Sequence, residues 1–247
     1  MNWATSNRCL VIAHRGDTKA GLENTLPAIE SALKLGADGI EVDLQLTRDG
    51  HVVLFHDDDL PRLAGREGTI GGLTLPECKA LRLTGNGTVP TLEELLDLAK
   101  DRCLLNLEIK THPHGWTPGD GRLERKIAEI LARFSLAETI LMSSFHPLPL
   151  WRMRRLAPHL KRGVLFESKY WVHRMAMPFT SPFSIHAPLA RATEAIVKAA
   201  HDAGRRFLVW TVNTEDDMKH CLEAGVDGII TDEPRRLKTL LQRPSGG

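Results

Sequence analysis

Cysteine is scarce: Cys9, Cys78, Cys103 and Cys221 are scattered through 247 residues, with no Cys-x-x-Cys pair among them. That spacing argues against a zinc cluster or a redox couple, and the four thiols are expected to be reduced and mostly buried. Long hydrophobic runs are missing too. None approaches the roughly 20 apolar residues that cross a bilayer, so stable membrane insertion is not expected. Residues 1–8 are polar rather than signal-like, which makes a cytoplasmic protein the expectation. Neither sign of charge dominates. A formal net charge of +1 gives no overall field to recruit nucleic acid or an anionic membrane, so any recognition of phosphate must be local. No proline-rich or serine-rich linker divides the chain.

What is present is ordinary globular material, 42% hydrophobic and 26% charged, enough to bury a full core. The length is near that of one (β/α)₈ barrel, although two smaller domains would also fit it. Short aliphatic runs at 10–13, 39–46, 52–55, 104–109, 139–143, 163–166, 183–185, 207–212 and 228–231 alternate with stretches of helical spacing. That pattern predicts parallel strands wrapped by helices. It supplies nine strands where a barrel needs eight. The run at 52–55 follows 39–46 across only Arg48-Asp49-Gly50, too short for a helix, so these two are expected to form a hairpin with one strand outside the barrel. Thr91-Leu92-Glu93-Glu94 reads as a capping box, and Asn24 as the start of a helix carrying Pro27, Leu26, Ile29 and Leu33.

An internal echo supports a closed ring. Gly36-Ala37-Asp38-Gly39-Ile40 and Gly225-Val226-Asp227-Gly228-Ile229 both read as helix stop, turn, strand. The loosest stretches, 62–72, 111–121 and 168–182, are expected to be loops of one domain spanning 1–247, with a small inserted loop region around 57–90.

The informative residues are charged groups in or just beyond apolar strands, where unpaired charge is costly. Glu41 and Asp43 are two apart on a strand and so share a face; Glu108 and Lys110 repeat that spacing on another. In a barrel, three carboxylates and an ammonium then converge at one rim. Three oxygen donors together favour a hard divalent cation, Mg²⁺ or Ca²⁺, over zinc; taken singly, each acid also reads as half of an ordinary ion pair. His14 and His56 follow strands in the same manner. Two imidazoles beside a phosphodiester supply the base and the acid of an in-line displacement, and Arg15 can hold a phosphate oxygen bidentately. His186, at the end of its strand, is expected to face the same rim as a structural residue.

These residues fall within an ordered set: His14-Arg15-Gly16, Glu23-Asn24-Thr25, Glu41-Val42-Asp43, Thr47-Arg48-Asp49-Gly50, His56-Asp57, Leu107-Glu108-Ile109-Lys110, Ser144-Phe145, Trp210-Thr211-Val212-Asn213 and Thr231-Asp232-Glu233-Pro234. The chain resembles the glycerophosphodiester phosphodiesterases of the small cytoplasmic bacterial type, from about His14 to Pro234. The resemblance implies an α/β fold, a TIM (β/α)₈ barrel of the PLC-like phosphodiesterase type. It implies one divalent cation held by Glu41, Asp43 and Glu108, with His14 and His56 as the acid and base pair. Arg15 and Lys110 would neutralise the phosphate, and Phe145 and Trp210 would wall the glycerol or leaving group. It further implies release of an alcohol and glycerol 3-phosphate from a small glycerophosphodiester, by direct hydrolysis or through a cyclic phosphate. The chain departs from the family pattern in Leu22, where proline is usual, and in Arg62-Leu63-Ala64, where Arg-Thr-Thr is usual; both affect loop detail and substrate preference. The stretch from His56 to Leu104, which holds a capping subdomain in larger members, is compact here.

Two other readings share this site: lysophospholipase D activity, suggested by the apolar stretch around Tyr170, Trp171, Met175, Met177 and Phe179, and a phosphoglycerol-binding protein without turnover. An αβ barrel of unrelated chemistry is a third. An oligomer is compatible with all of them.

Overall fold

Among the described residues nine strands form, where aliphatic residues cluster. They are β1 (Leu10–His14), β2 (Gly39–Leu46), β3 (Val52–Leu54), β4 (Leu104–Ile109), β5 (Ile140–Ser144), β6 (Lys161–Leu165), β7 (Ser184–Pro188), β8 (Arg206–Trp210) and β9 (Gly228–Thr231). The structure, a computed structural model, describes residues 2–111, 119–167 and 170–242. Eight strands pair in parallel in the order β1, β2, β4, β5, β6, β7, β8, β9, and β9 returns to β1, which closes a TIM barrel. The ninth, β3, runs antiparallel to β2 with Leu44 opposite Leu54, as the short connection through Gly50 requires. Gly50 has φ +87°, a value that favours a residue without Cβ.

One helix follows each barrel strand: Leu26–Leu35, Leu92–Ala99, Arg122–Leu131, Pro147–Leu156, Tyr170–Thr180, Glu194–Asp202, Glu215–Glu223 and Pro234–Gln242. Alternation sorts the side chains. Ile40, Val42, Leu44, Leu105, Leu107 and Ile109 face outward into the layer beneath the helices, so Glu41, Asp43, Asn106 and Glu108 face inward. The lower interior is sealed by Leu10, Ile12, Leu104, Leu141, Leu208 and Ile230, with Trp3 as a plug whose indole N–H donates to the Thr139 carbonyl at 2.9 Å.

The repeated Asp-Gly turns do the same job twice. Asp38 accepts from the Val11 backbone N–H at 2.9 Å and Asp227 from that of Phe207 at 2.7 Å, and each is paired with an arginine, Arg8 or Arg206. Each aspartate therefore ties the start of one strand to its neighbour. The capping box forms at Thr91, whose hydroxyl accepts from the Glu94 N–H while Glu94 accepts from the Thr91 N–H. All four cysteines are free; Cys78, Cys103 and Cys221 are buried and Cys9 is partly so. No described helix is long and apolar enough to cross a membrane.

Two local expectations are corrected here. Within the stretch 168–182, Tyr170–Thr180 is helical and not a loop, with Pro178 inside its last turn at the cost of one helical hydrogen bond. Arg154 donates to the carbonyls of Pro178 and Phe179 at 2.8 and 2.9 Å, and Ser181 N–H reaches the Met177 carbonyl. That end of the helix lies far from the barrel mouth, so Phe179 forms no lip there. The side chains of Tyr170 and Trp171, and residues 112–118 of the 111–121 stretch, lie outside the described residues. Next, Thr25 and not Asn24 is the N-cap of Leu26–Leu35, because Asn24 is committed elsewhere. The region 57–90 carries short helical turns around its own apolar cluster of Phe55, Leu60, Leu63, Ile70, Cys78, Leu81 and Leu83.

His186 is not at the rim. It lies wholly buried in the barrel interior with Nε2 2.8 Å from the Ser184 hydroxyl, and burial pushes its pKa down to about 3. The unfolded chain would take up this proton near pH 6.5, so this contribution is constant above that pH and is lost on acidification below it, by about 1.4 kcal/mol per unit. Urea unfolding at pH 7 and pH 5 is therefore expected to show a loss about 2 kcal/mol larger for wild type than for His186→Gln. Equal losses would contradict the buried neutral state.

Candidate active site

In a parallel barrel every strand ends at the same mouth, and there the inward charges meet. Oxygens of Glu41, Asp43 and Glu108 lie within 4.8 Å of one another, all three residues being buried. Register enforces this, because Asp43 pairs with Glu108 across β2 and β4. Lys110 Nζ lies 2.9 Å from Asp43 and 2.6 Å from Glu108. Arg15 Nε lies 3.2 Å from Asp43, but its N–H is misaligned and has no hydrogen-bond acceptor among the described residues.

The trio does not share charge evenly. Burial, then Asp43 and Glu108, push the Glu41 carboxyl well above the usual range. Burial also acts against the Asp43 carboxylate, but Lys110, Arg15 and His56 outweigh it and hold Asp43 below its usual value. Lys110 is held above its ordinary value: burial opposes its charge, and Asp43 and Glu108 more than offset that. A lone proton thus belongs on Glu41, where a cation would replace it. Two cationic side chains leave the three acids one charge short of neutral, and all donors are oxygens. The residues present suit a hard metal ion.

Both sequence-singled histidines are oriented by a carboxylate. His14 Nδ1 is 2.7 Å from Asp232 Oδ1, while its Nε2 is 3.9 Å from Glu41. His56 Nδ1 is 2.7 Å from Asp57 Oδ1. Burial acts against both carboxylates, but the bonds from the imidazoles and their other partners leave Asp232 and Asp57 below the usual range, hence ionised acceptors. Each therefore accepts from Nδ1–H and leaves Nε2 as the nitrogen available for proton exchange. Asp232 is held in turn by Asn213, whose amide donates at 2.7 Å. Asp57 is gripped by Arg62, which also reaches Glu23, and Glu23 accepts from Arg15 at 2.9 Å. Ligand atoms of Glu23, His56 and Asp57 also lie within 4.8 Å of one another, but both carboxylates of this second group are already paired with Arg62.

The loop after β1 is built around these contacts. Arg15 and Asn24 adopt left-handed conformations, φ 57° and 56°, which cost a non-glycine residue roughly 1 kcal/mol. The Asn24 amide donates to Asp43 at 2.8 Å and accepts from the Asp43 backbone N–H at 3.1 Å. Next to Arg15, a Cβ on Gly16 would lie 2.8 Å from the Ala28 backbone, so only glycine lets the loop pack there. Phe145 and Trp210, following β5 and ending β8, meet edge to face with ring centroids 5.3 Å apart.

Asp232, Asn213, Asp57, Arg62 and Asn24 were not singled out as site residues from the sequence. A polar residue just past an aliphatic strand, as at Asp232 after Thr231, was the available signal.

Residues 14–236 match the Glycerophosphoryl diester phosphodiesterase family. The chain belongs to this family. A glycerophosphodiester phosphodiesterase of Caldanaerobacter subterraneus is 36% identical over 96% of this chain and 99% of its own. Among solved structures, an Oleispira antarctica phosphodiesterase in complex with the product sn-glycerol-3-phosphate superposes with TM-score 0.85, 27% identity, and coverage of 94% and 96%. A glycerophosphodiester phosphodiesterase of Parabacteroides distasonis gives 0.81, 29%, 95% and 97%. Members of the glycerophosphoryl diester phosphodiesterase family thus share this barrel over nearly the whole chain.

Proposed function

We propose that the barrel mouth hydrolyses small glycerophosphodiesters to glycerol 3-phosphate and an alcohol, the whole chain acting as one domain with the 57–90 region as a wall of the mouth. The observation that carries this is the meeting of three buried acids with two carboxylate-oriented imidazoles at one end of the barrel. The product held by the Oleispira relative supports the substrate class, and the absence of a surplus charge suits a cytoplasmic enzyme acting on small molecules.

Glu41, Asp43 and Glu108 would hold one divalent cation, Mg²⁺ or Ca²⁺, which when bound polarises a phosphoryl oxygen. With a divalent charge added, the acids, Arg15 and Lys110 sum to one positive charge, matched to the single negative charge of a phosphodiester. The unmet Arg15 N–H donates to a phosphate oxygen, and Lys110 adds charge beside it. One imidazole Nε2 takes the proton of the attacking oxygen, from water or a neighbouring glycerol hydroxyl. The other, protonated, gives its proton to the leaving oxygen. Phe145 and Trp210 wall the glycerol or leaving group away from water.

The test is release of glycerol 3-phosphate from glycerophosphocholine or glycerophosphoethanolamine, abolished by a chelator and restored by Mg²⁺ or Ca²⁺. No release with either metal would overturn the proposal. Faster turnover of lysophosphatidylcholine would favour the lysophospholipase D reading instead.

Asp232 acts through His14 and is a positioning residue. Asp232→Asn is expected to lower kcat by about 10² while KM changes little, because the imidazole can then take the wrong tautomer. A changed KM with unchanged kcat would contradict that role.

A further inference from the structure

Just below the acid trio the barrel interior changes character. Ser143 of β5 is in register with Gly163 of β6, and Gly163 with Ser184 of β7, so three neighbouring strands contribute almost no side chain at one level. A Cβ on Gly163 would lie 2.4 Å from His186 Nε2; glycine lets that imidazole lean across β6. On its other side Ser143 is the register partner of Glu108. Asn106, two residues earlier on β4, is the register partner of Glu41.

Small side chains alone would mark only a thin core. Here they coincide with four buried polar atoms that have no hydrogen-bond partner among the described residues: both amide atoms of Asn106, the Ser143 hydroxyl and His186 Nδ1. The residues are 1%, 0% and 0% exposed. Buried polar groups are normally partnered, and each exception calls for a cause. This mixture of donors and acceptors carries no net charge, so it suits neither a cation nor an anion. It suits water, which donates and accepts. Glu41 above needs such a partner: the hydrogen bond it receives is a long one, 3.3 Å, from the Arg15 backbone N–H.

We propose that Asn106, Ser143 and His186 enclose structural water directly beneath the acid trio, and that this water positions Glu41 from inside the barrel. The positioning half rests on Glu41 being a metal ligand; the water site does not.

A high-resolution crystal structure of the whole protein is expected to show ordered water within hydrogen-bond distance of at least two of Asn106, Ser143 Oγ and His186 Nδ1. Density showing these groups bonded to protein atoms, with no water between them, would overturn the site. For the positioning half, Ca²⁺ is titrated calorimetrically into chelator-treated protein. Asn106→Leu, of similar size but apolar, is expected to bind about 10- to 100-fold more weakly, and Asn106→Ser, which puts a hydroxyl in place of the amide and leaves room for a further water, to lose less. If the leucine variant does not fold, Ser143→Ala is read in the same way. Wild-type affinity in the apolar variants overturns the positioning role. Where wild type binds no Ca²⁺ the titration is made with Mg²⁺, and a wild type that binds neither overturns it together with the metal reading, while the water site stands or falls on the density.

Discussion

Alanine at His14 or at His56 is expected to lower turnover by about 10² or more, since positioned proton transfer commonly contributes that much. The fold should survive both changes. Each imidazole is partly exposed, at 19% and 32% of its side chain, and the carboxylate behind it keeps other partners, Asn213 for Asp232 and Arg62 for Asp57. No buried charge is left orphaned, so the melting temperature should move little. Substrate affinity should also hold, because Arg15 and Lys110 are untouched. Wild-type rates in either variant would refute the assignment of that histidine.

Glu41→Gln is expected to separate metal affinity from stability. In metal-free protein Glu41 has its carboxyl pushed toward the protonated form, and glutamine nearly reproduces that form in shape and charge. Unfolding in the presence of chelator should therefore be little changed. Cation binding should weaken by about 10² or more, at or beyond the top of the range seen when a mere supporting residue is lost. Because a cation must displace the proton on Glu41, wild-type affinity should strengthen as pH rises, and the glutamine variant should lose that dependence. Unchanged affinity in calorimetry would remove Glu41 from the ligand set. Asp43 would not separate the two effects: Lys110 and Arg15 lean on its carboxylate, so its loss would also destabilise the fold.

The fold was largely legible because barrel strands here are short aliphatic runs with a strict inward and outward alternation. Glu41-Val42-Asp43 announces itself as two acids flanking an outward valine, and the antiparallel β3 follows from a connection too short for a helix. What stayed hidden depends on contacts between distant segments. Asn24 looks like a helix cap until the loop it closes is seen folding back on Asp43, a partner 19 positions away. Asp232 and His14 are 218 positions apart, and only closure of the ring by β9 on β1 brings them together. Helix Tyr170–Thr180 is hidden in the sequence because it holds Pro178, a residue that helix interiors rarely tolerate. His186 was set at the rim because strand ends are uncertain by a residue or two, and β7 continues past it to Pro188.

The most direct test is a crystal grown with a divalent cation and glycerol 3-phosphate. The expected result is one cation bonded to oxygens of Glu41, Asp43 and Glu108, with the phosphate against Arg15 and between the two imidazoles. A cation elsewhere, or a phosphate bound away from His14 and His56, would contradict the account.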